Sequence, residues 1–144
     1  MAHQPSIYLA GPLFTDAQRA FNRQAADGLR RAGCTVFLPQ DTQTNVTETD
    51  WQDTVFKRNC EGICAAKLVV AVLDGCLVDD GTAWEIGYAY ALGKPVVGIH
   101  TDRRTVGHEG RVNLMVEQAC TVICGADWSQ VARVATGVLS ERKA

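Results

Sequence analysis

The sequence predicts an α/β sandwich, a five-stranded parallel sheet flanked by helices in one domain over residues 1–144. Three observations carry that expectation. Short apolar runs alternate with stretches of helical period along the whole chain. The run at residues 68–73, LVVAVL, is almost uninterrupted, as a strand buried on both faces of a sheet must be. Glycine or proline follows most runs, which stops each element and turns the chain back. A chain of this length buries roughly 70% of its unfolded surface, enough for one core without staples.

Residues 6–10, SIYLA, read as a first strand that ends at Gly11 and Pro12. From Thr15 a helix follows, with Phe14, Ala17, Phe21, Ala25, Leu29 and Ala32 spaced three and four apart as its apolar face and Gly33 as its stop. A second strand at residues 34–38, CTVFL, closes at Pro39. The polar stretch QDTQTNVTETD, residues 40–50, is long enough to be a functional loop that lids a site. Asp50 caps a second helix through about Ala66, and the central strand follows it. A third helix over residues 82–92 stops at Gly93, and residues 95–99 form a fourth strand. After the charged loop TDRRTVGHEGR come a short helix near residues 113–118, a fifth strand near 121–124, and a final helix from about Asp127. Five strands alternating with helices imply right-handed crossovers and the flavodoxin-like strand order.

The totals narrow the function. A net charge of −2 gives no basic field for a nucleic-acid backbone, and no apolar run approaches the length of a membrane span. Six cysteines with no secretory leader ahead of them point to a reducing, cytoplasmic setting. The pairs Cys60/Cys64 and Cys120/Cys124 lack the turn-linked spacing of structural zinc, so no metal or other cofactor is expected. His3, His100 and His108 share no spacing, and the three tryptophans read as core or rim.

Ligands of such sheets sit at the carboxyl ends of the strands, which singles out Gly11 to Phe14, the loop 40–50, residues 74–81 and the loop 101–111. In VDDGTAWEIGYAYALGKP, residues 78–95, Asp79, Asp80 and Gly81 precede a helix that carries Glu85 inside it. Thr82 and Glu85 have capping-box spacing, which needs no chemistry; three crowded carboxylates at a strand edge equally fit a site, since crowding raises their pKa values. Asn59 falls on the apolar stripe of the second helix, four residues from Val55 and Ile63, as a satisfied buried amide or as a ligand contact. Tyr8 reads as a core tyrosine whose strand ends at the site, and Asn113 as a helix cap.

Taken together, IYLAGPLFTDAQ, NCEGICAAKLVVAVLDG, the pattern D-x-G-T-x-x-E-I-G-Y-A from Asp79, TDRR and the N-L-M of residues 113–115 resemble the nucleoside 2-deoxyribosyltransferases. The resemblance implies a metal-free enzyme of nucleoside salvage in which Glu85 attacks the anomeric carbon of a 2′-deoxyribonucleoside and holds the sugar as an ester until a second base takes it. It implies that Asp79 binds the 5′-hydroxyl and Tyr8 orients the nucleophile. Gly11, Phe14, Asp80 and Gly81 would line the substrate site. Asn113 would come from a neighbouring subunit, with Met115 lining the base pocket, so a homo-oligomer is implied. Two departures stand out. Asn59 takes the place of an aspartate that protonates the leaving base, for which Asp41 or water is a substitute unless the base preference differs, and the SERKA terminus lacks the aromatic tail of some members.

Two rival functions follow from the same residues. A related hydrolase would strip the base from deoxynucleosides or their 5′-monophosphates, but Asp16 near the first loop repels phosphate. A receiver-like module would use Asp74 as phosphoacceptor, yet AGPLF lacks the acidic pair it needs.

Overall fold

The computed structural model describes residues 6–42, 44–106 and 110–141. His3, His108 and residues 142–144 of the terminal SERKA therefore lie outside the described residues. Along the chain run β1 (Ile7–Ala10), α1 (Asp16–Arg31), β2 (Val36–Phe37), a 3-10 turn (Pro39–Asp41), α2 (Trp51–Ala65) and β3 (Leu68–Val72). They are followed by α3 (Asp80–Ala91), β4 (Val96–Ile99), α4 (Leu114–Ala119), β5 (Val122–Cys124) and α5 (Trp128–Glu141). The five strands are parallel in the order β2-β1-β3-β4-β5, the flavodoxin-like order expected from the alternation.

Strand periodicity divides the core into two. Ile7, Leu9, Leu68 and Val70 face the layer of α1 and α5, while Tyr8, Ala10, Val69 and Ala71 face the layer of α2, α3 and α4. Every residue of β1, β3 and β4 is buried, which explains why those strands read as apolar runs without alternation. No helix among the described residues is long and apolar enough to cross a membrane.

Helix α1 begins with a complete capping box between Thr15 and Gln18, and the chain turns after it through Gly33 at φ 89°. Its buried face differs from the expected stripe. Phe14, Ala17 and Ala32 are exposed, and the inward residues are Asn22, Ala25, Ala26, Gly28 and Leu29. Helix packing is the reason: α5 lies so close to α1 that a Cβ on Gly28 would come within 2.5 Å of the Trp128 side chain. Trp128 in turn meets the Phe21 ring edge-on, centroids 5.5 Å apart.

The Gly28 contact makes a direct prediction. Gly28→Ala should destabilise the fold by about 1–3 kcal/mol through overpacking, despite alanine's better helix propensity. Urea unfolding checks it, and an unchanged or raised midpoint would show that α5 is not seated on α1 as described.

Candidate active site

Glu85 lies well inside α3, not at its start. The residue that caps α3 is Asp79, whose Oδ2 accepts from the Thr82 amide at 2.9 Å and the Thr82 hydroxyl at 3.0 Å. The Thr82–Glu85 capping box expected from spacing is thus corrected. Thr82 is the third helical residue, buried beneath the cap, and the Glu85 side chain is released from any backbone duty at the helix end.

Instead, the Tyr8 hydroxyl donates to Glu85 Oε1 at 2.7 Å, joining the second residue of β1 to α3. Tyr8 is completely buried and lies in stacking contact with Phe37 of β2, ring centroids 5.3 Å apart. Helix α2 roofs both rings at Gly62, where a Cβ would stand 3.2 Å from each. Only glycine leaves that approach relaxed, so the position of the tyrosine hydroxyl is fixed from three sides.

Burial is the largest influence on the Glu85 carboxyl and pushes it up from the ordinary 4.5 to about 7. The Tyr8 hydrogen bond works against that rise, and the charge of Asp79 adds to it as a lesser cause. Crowding of carboxylates, the expected cause, is therefore secondary to desolvation. Tyr8 itself is driven far above the usual phenol range, first by burial and then by the Glu85 charge, so it stays a neutral donor at physiological pH. Glu85 keeps partial contact with solvent. A half-buried carboxylate poised near neutrality, with one oxygen held by a neutral donor, suits nucleophilic or acid–base work.

A cleft of about 920 Å³ opens at the carboxyl ends of β1 and β2. Its lining includes Leu13 after β1, Gln40, Thr42 and Thr44 of the loop after β2, and Trp51, Arg58 and Asn59 of α2. The polar 40–50 segment expected as a functional loop thus forms a wall of this cleft. Glu85 is not in the lining. Helix α2 connects the two: Asn59 and Arg58 face the cleft, and the next residue, Cys60, lies close enough to Tyr8 and Glu85 for their charges to bear on one another.

The other expected residues take varied places. Gly11 abuts buried Asn22, whose Oδ1 would be 2.8 Å from a Cβ there. Phe14 is 76% exposed and outside the cleft lining, where its neighbour Leu13 stands. Asp80 accepts from the Gly81 amide at 2.8 Å on the exposed first turn of α3. Asn113 caps α4 through the Met115 amide at 2.9 Å, and Met115 is 75% exposed; neither is joined to Tyr8 or Glu85 by a described bond. Asp41 pairs with Arg23 at 3.2 Å and Arg30 at 3.1 Å and stands outside the cleft lining. Asp74 accepts from the amides of Thr101 at 2.6 Å and Asp102 at 3.0 Å and from the Thr101 hydroxyl, so it ties the loops after β3 and β4 together instead of standing open as a phosphoacceptor.

Sequence reasoning missed Asn22, which donates to the Pro12 carbonyl at 2.8 Å and to Gln40 Oε1 at 3.2 Å and so locks the first loop to the cleft wall. Its spacing of three and four from Ala25 and Ala26 was the available signal, the same one that marked Asn59. It also missed Trp51 as a cleft residue. The six cysteines are free thiols, and burial pushes those of Cys34, Cys60, Cys120 and Cys124 up, Cys120 to about 11. Among the described residues no group of three or more potential ligands is placed to hold a metal ion.

The raised carboxyl has a consequence for stability. The folded state holds the Glu85 proton more tightly than the unfolded chain, so stability is greatest below about pH 4.5 as far as this group goes and is lost as pH rises through about 7. Glu85→Gln removes that loss. It should be more stable than the parent at pH 8 by up to about 3 kcal/mol and nearly equal to it near pH 4. Equal stability of the two at pH 8 in denaturant titrations would mean the carboxyl is not desolvated.

Comparison with known proteins places these features in context. A family model described as nucleoside 2-deoxyribosyltransferase matches residues 7–123. A solved 2-deoxyribosyltransferase from Bacillus psychrosaccharolyticus is 33% identical over 88% of this chain and 89% of its own, with a TM-score of 0.74. A conserved protein from Enterococcus faecalis is 26% identical over 94% of this chain and 99% of its own, TM-score 0.78. A CMP N-glycosidase from Clostridium botulinum, 19% identical over 88% of this chain and 95% of its own, shares the fold with a TM-score of 0.58. A search of curated proteins gives no match.

Proposed function

The chain belongs to the nucleoside 2-deoxyribosyltransferase family, and we propose that it exchanges the base of 2′-deoxyribonucleosides through a covalent deoxyribosyl ester on Glu85. The observation that carries this reading is the 2.7 Å bond from Tyr8 to Glu85, which fixes one carboxylate oxygen and leaves the other to react. In the first half-reaction that oxygen bonds to C1′ while the C1′–N bond breaks and its electron pair leaves with the base. In the second, an incoming base bonds to C1′ and restores the carboxylate. Splitting the substitution lets one carboxylate stabilise an oxocarbenium-like transition state twice and preserves configuration.

Asp79 supports the sugar in this scheme. Its cap bonds both fall on Oδ2, so Oδ1 is the oxygen offered to the 5′-hydroxyl. Asp80, Gly81, Gly11 and Phe14 border the sugar, and Asn59 meets the base from the cleft. Asn113 and Met115 are assigned to the site of a second copy of the chain. Their exposure at the start of α4, beside exposed Leu114, suits that role. The enzyme needs no metal or cofactor for this chemistry.

The test incubates the protein with thymidine, with and without free hypoxanthine, and in parallel with deoxyinosine and free adenine. Deoxyinosine from thymidine is the expected product, with deoxyadenosine formed more slowly, and free base with free sugar alone would replace transfer by hydrolysis. Glu85→Ala should lower either activity by at least about 1,000-fold, whereas Asp79→Ala should mainly weaken sugar binding and positioning, raising KM and lowering kcat by less than Glu85→Ala does.

Only the ionised carboxylate attacks, so kcat/KM should rise with pH through about 7. Since the Tyr8 bond holds the Glu85 pKa down, Tyr8→Phe should move that limb to higher pH. A limb unmoved in Tyr8→Phe would separate the tyrosine from the titrating group.

A further inference from the structure

The wall of the cleft contributed by α2 carries two polar atoms with nothing to bond. Arg58 Nε and Asn59 Oδ1 are both buried without a hydrogen-bond partner, although both residues line the cleft at the carboxyl ends of β1 and β2. One is an unsatisfied donor, the other an unsatisfied acceptor. Leaving such groups unpaired costs about 1–3 kcal/mol each, more where charge is involved, and a ligand offering the complementary pair recovers it. The Arg58 fork is oriented by Nη1, which donates to Thr44 Oγ1 at 3.4 Å.

Among the described residues the same lining offers no fitting acid. Its carboxylate, Glu48, is exposed and accepts from Asn45 Nδ2 at 3.1 Å. Gln40, Asn45 and Asn59 are amides, which cannot give up a proton at neutral pH. Arg19 also lines the cleft, but it is exposed and its Nη1 is turned to the Leu13 carbonyl at 3.5 Å. Arg58, in contrast, is half-buried on α2, and its charge is felt as a lesser influence at Tyr8, the residue that donates to Glu85.

Resting on the base-exchange reading above, we propose that Arg58 takes up the negative charge of the departing base, and that the cleft therefore selects oxo bases, which present a ring carbonyl beside an N–H. The carbonyl oxygen accepts from Arg58 Nε and the N–H donates to Asn59 Oδ1. When the C1′–N bond breaks, its electron pair passes to the base and spreads onto that oxygen against the guanidinium; C1′ bonds to Glu85, and no proton moves within the cleft. The released base takes its proton from water. In the return step the acceptor loses its N–H proton to water before it attacks, which the guanidinium favours. Adenine has no carbonyl oxygen on which charge collects, and cytosine sets its carbonyl beside an unprotonated ring nitrogen, so it would face Asn59 Oδ1 with a second acceptor. Fixed positive charge aimed at developing negative charge is the largest aid such a site can give.

The experiment compares deoxyinosine and thymidine with deoxyadenosine and deoxycytidine as donors for the wild type, Arg58→Ala and Arg58→Lys, and follows hypoxanthine and adenine binding by tryptophan fluorescence. The wild type should favour oxo donors by about tenfold or more. Arg58→Ala should lose about 100- to 1,000-fold in kcat on them and also raise KM for them, and added guanidinium should restore part of the loss. Arg58→Lys, keeping charge without the fork, should fall between. Full oxo turnover in Arg58→Ala, equal losses on all four donors without guanidinium rescue, or a wild-type preference for amino donors would each overturn the proposal. Hypoxanthine binding that depends on Arg58 in a protein without turnover would instead overturn the base-exchange reading and leave the base specificity of the cleft standing.

Discussion

The site depends on one hydrogen bond, from the buried hydroxyl of Tyr8 to the carboxylate of Glu85. Desolvation alone would keep that carboxyl protonated, and a neutral acid cannot act as a nucleophile. The phenol offsets part of the penalty, while its own burial keeps it from ever competing for the proton near neutrality. The two opposing influences leave the carboxyl balanced at about 7, half-ionised where a cell works.

Much of the surrounding fold serves to keep that bond in place. Tyr8 is clamped between β2 and α2 by the stacked Phe37 ring and the absence of a Cβ at Gly62. Asp79 caps α3, the helix that presents Glu85, so a residue proposed to bind the sugar also holds the start of that helix. On the other side, Asn22 joins the Pro12 carbonyl to Gln40 and fixes the cleft wall relative to β1. The switch between β1 and β3 in strand order puts these loops on one edge.

The central strands β1, β3 and β4 were legible because each is a buried apolar run bounded by glycine, proline or a polar loop, whereas the half-buried edge strands β2 and β5 were read from the alternation with helices. The 3-10 turn at Pro39–Asp41 was not, since Pro39 reads equally as a strand stop. The stripe of α1 was right at Phe21, Ala25 and Leu29 but carried too far at both ends, to Phe14, Ala17 and Ala32, and it left out Asn22, Ala26 and Gly28, which the seat of α5 on Gly28 turns inward. Glu85, Tyr8 and Asp79 were found from motif and strand edge. What spacing could not give was which residue caps α3, because Asp79 and Thr82 are both good caps three residues apart. Nor could it give the two orphaned atoms of α2, which exist only once the cleft is assembled.

Rapid quenching during turnover, followed by intact-mass and peptide mass spectrometry, is the most direct measurement of the central claim. With deoxyinosine and no acceptor base, the account predicts a chain heavier by one deoxyribosyl group, carried on the peptide that contains Glu85. Turnover without any adduct, or an adduct on another residue, would contradict it.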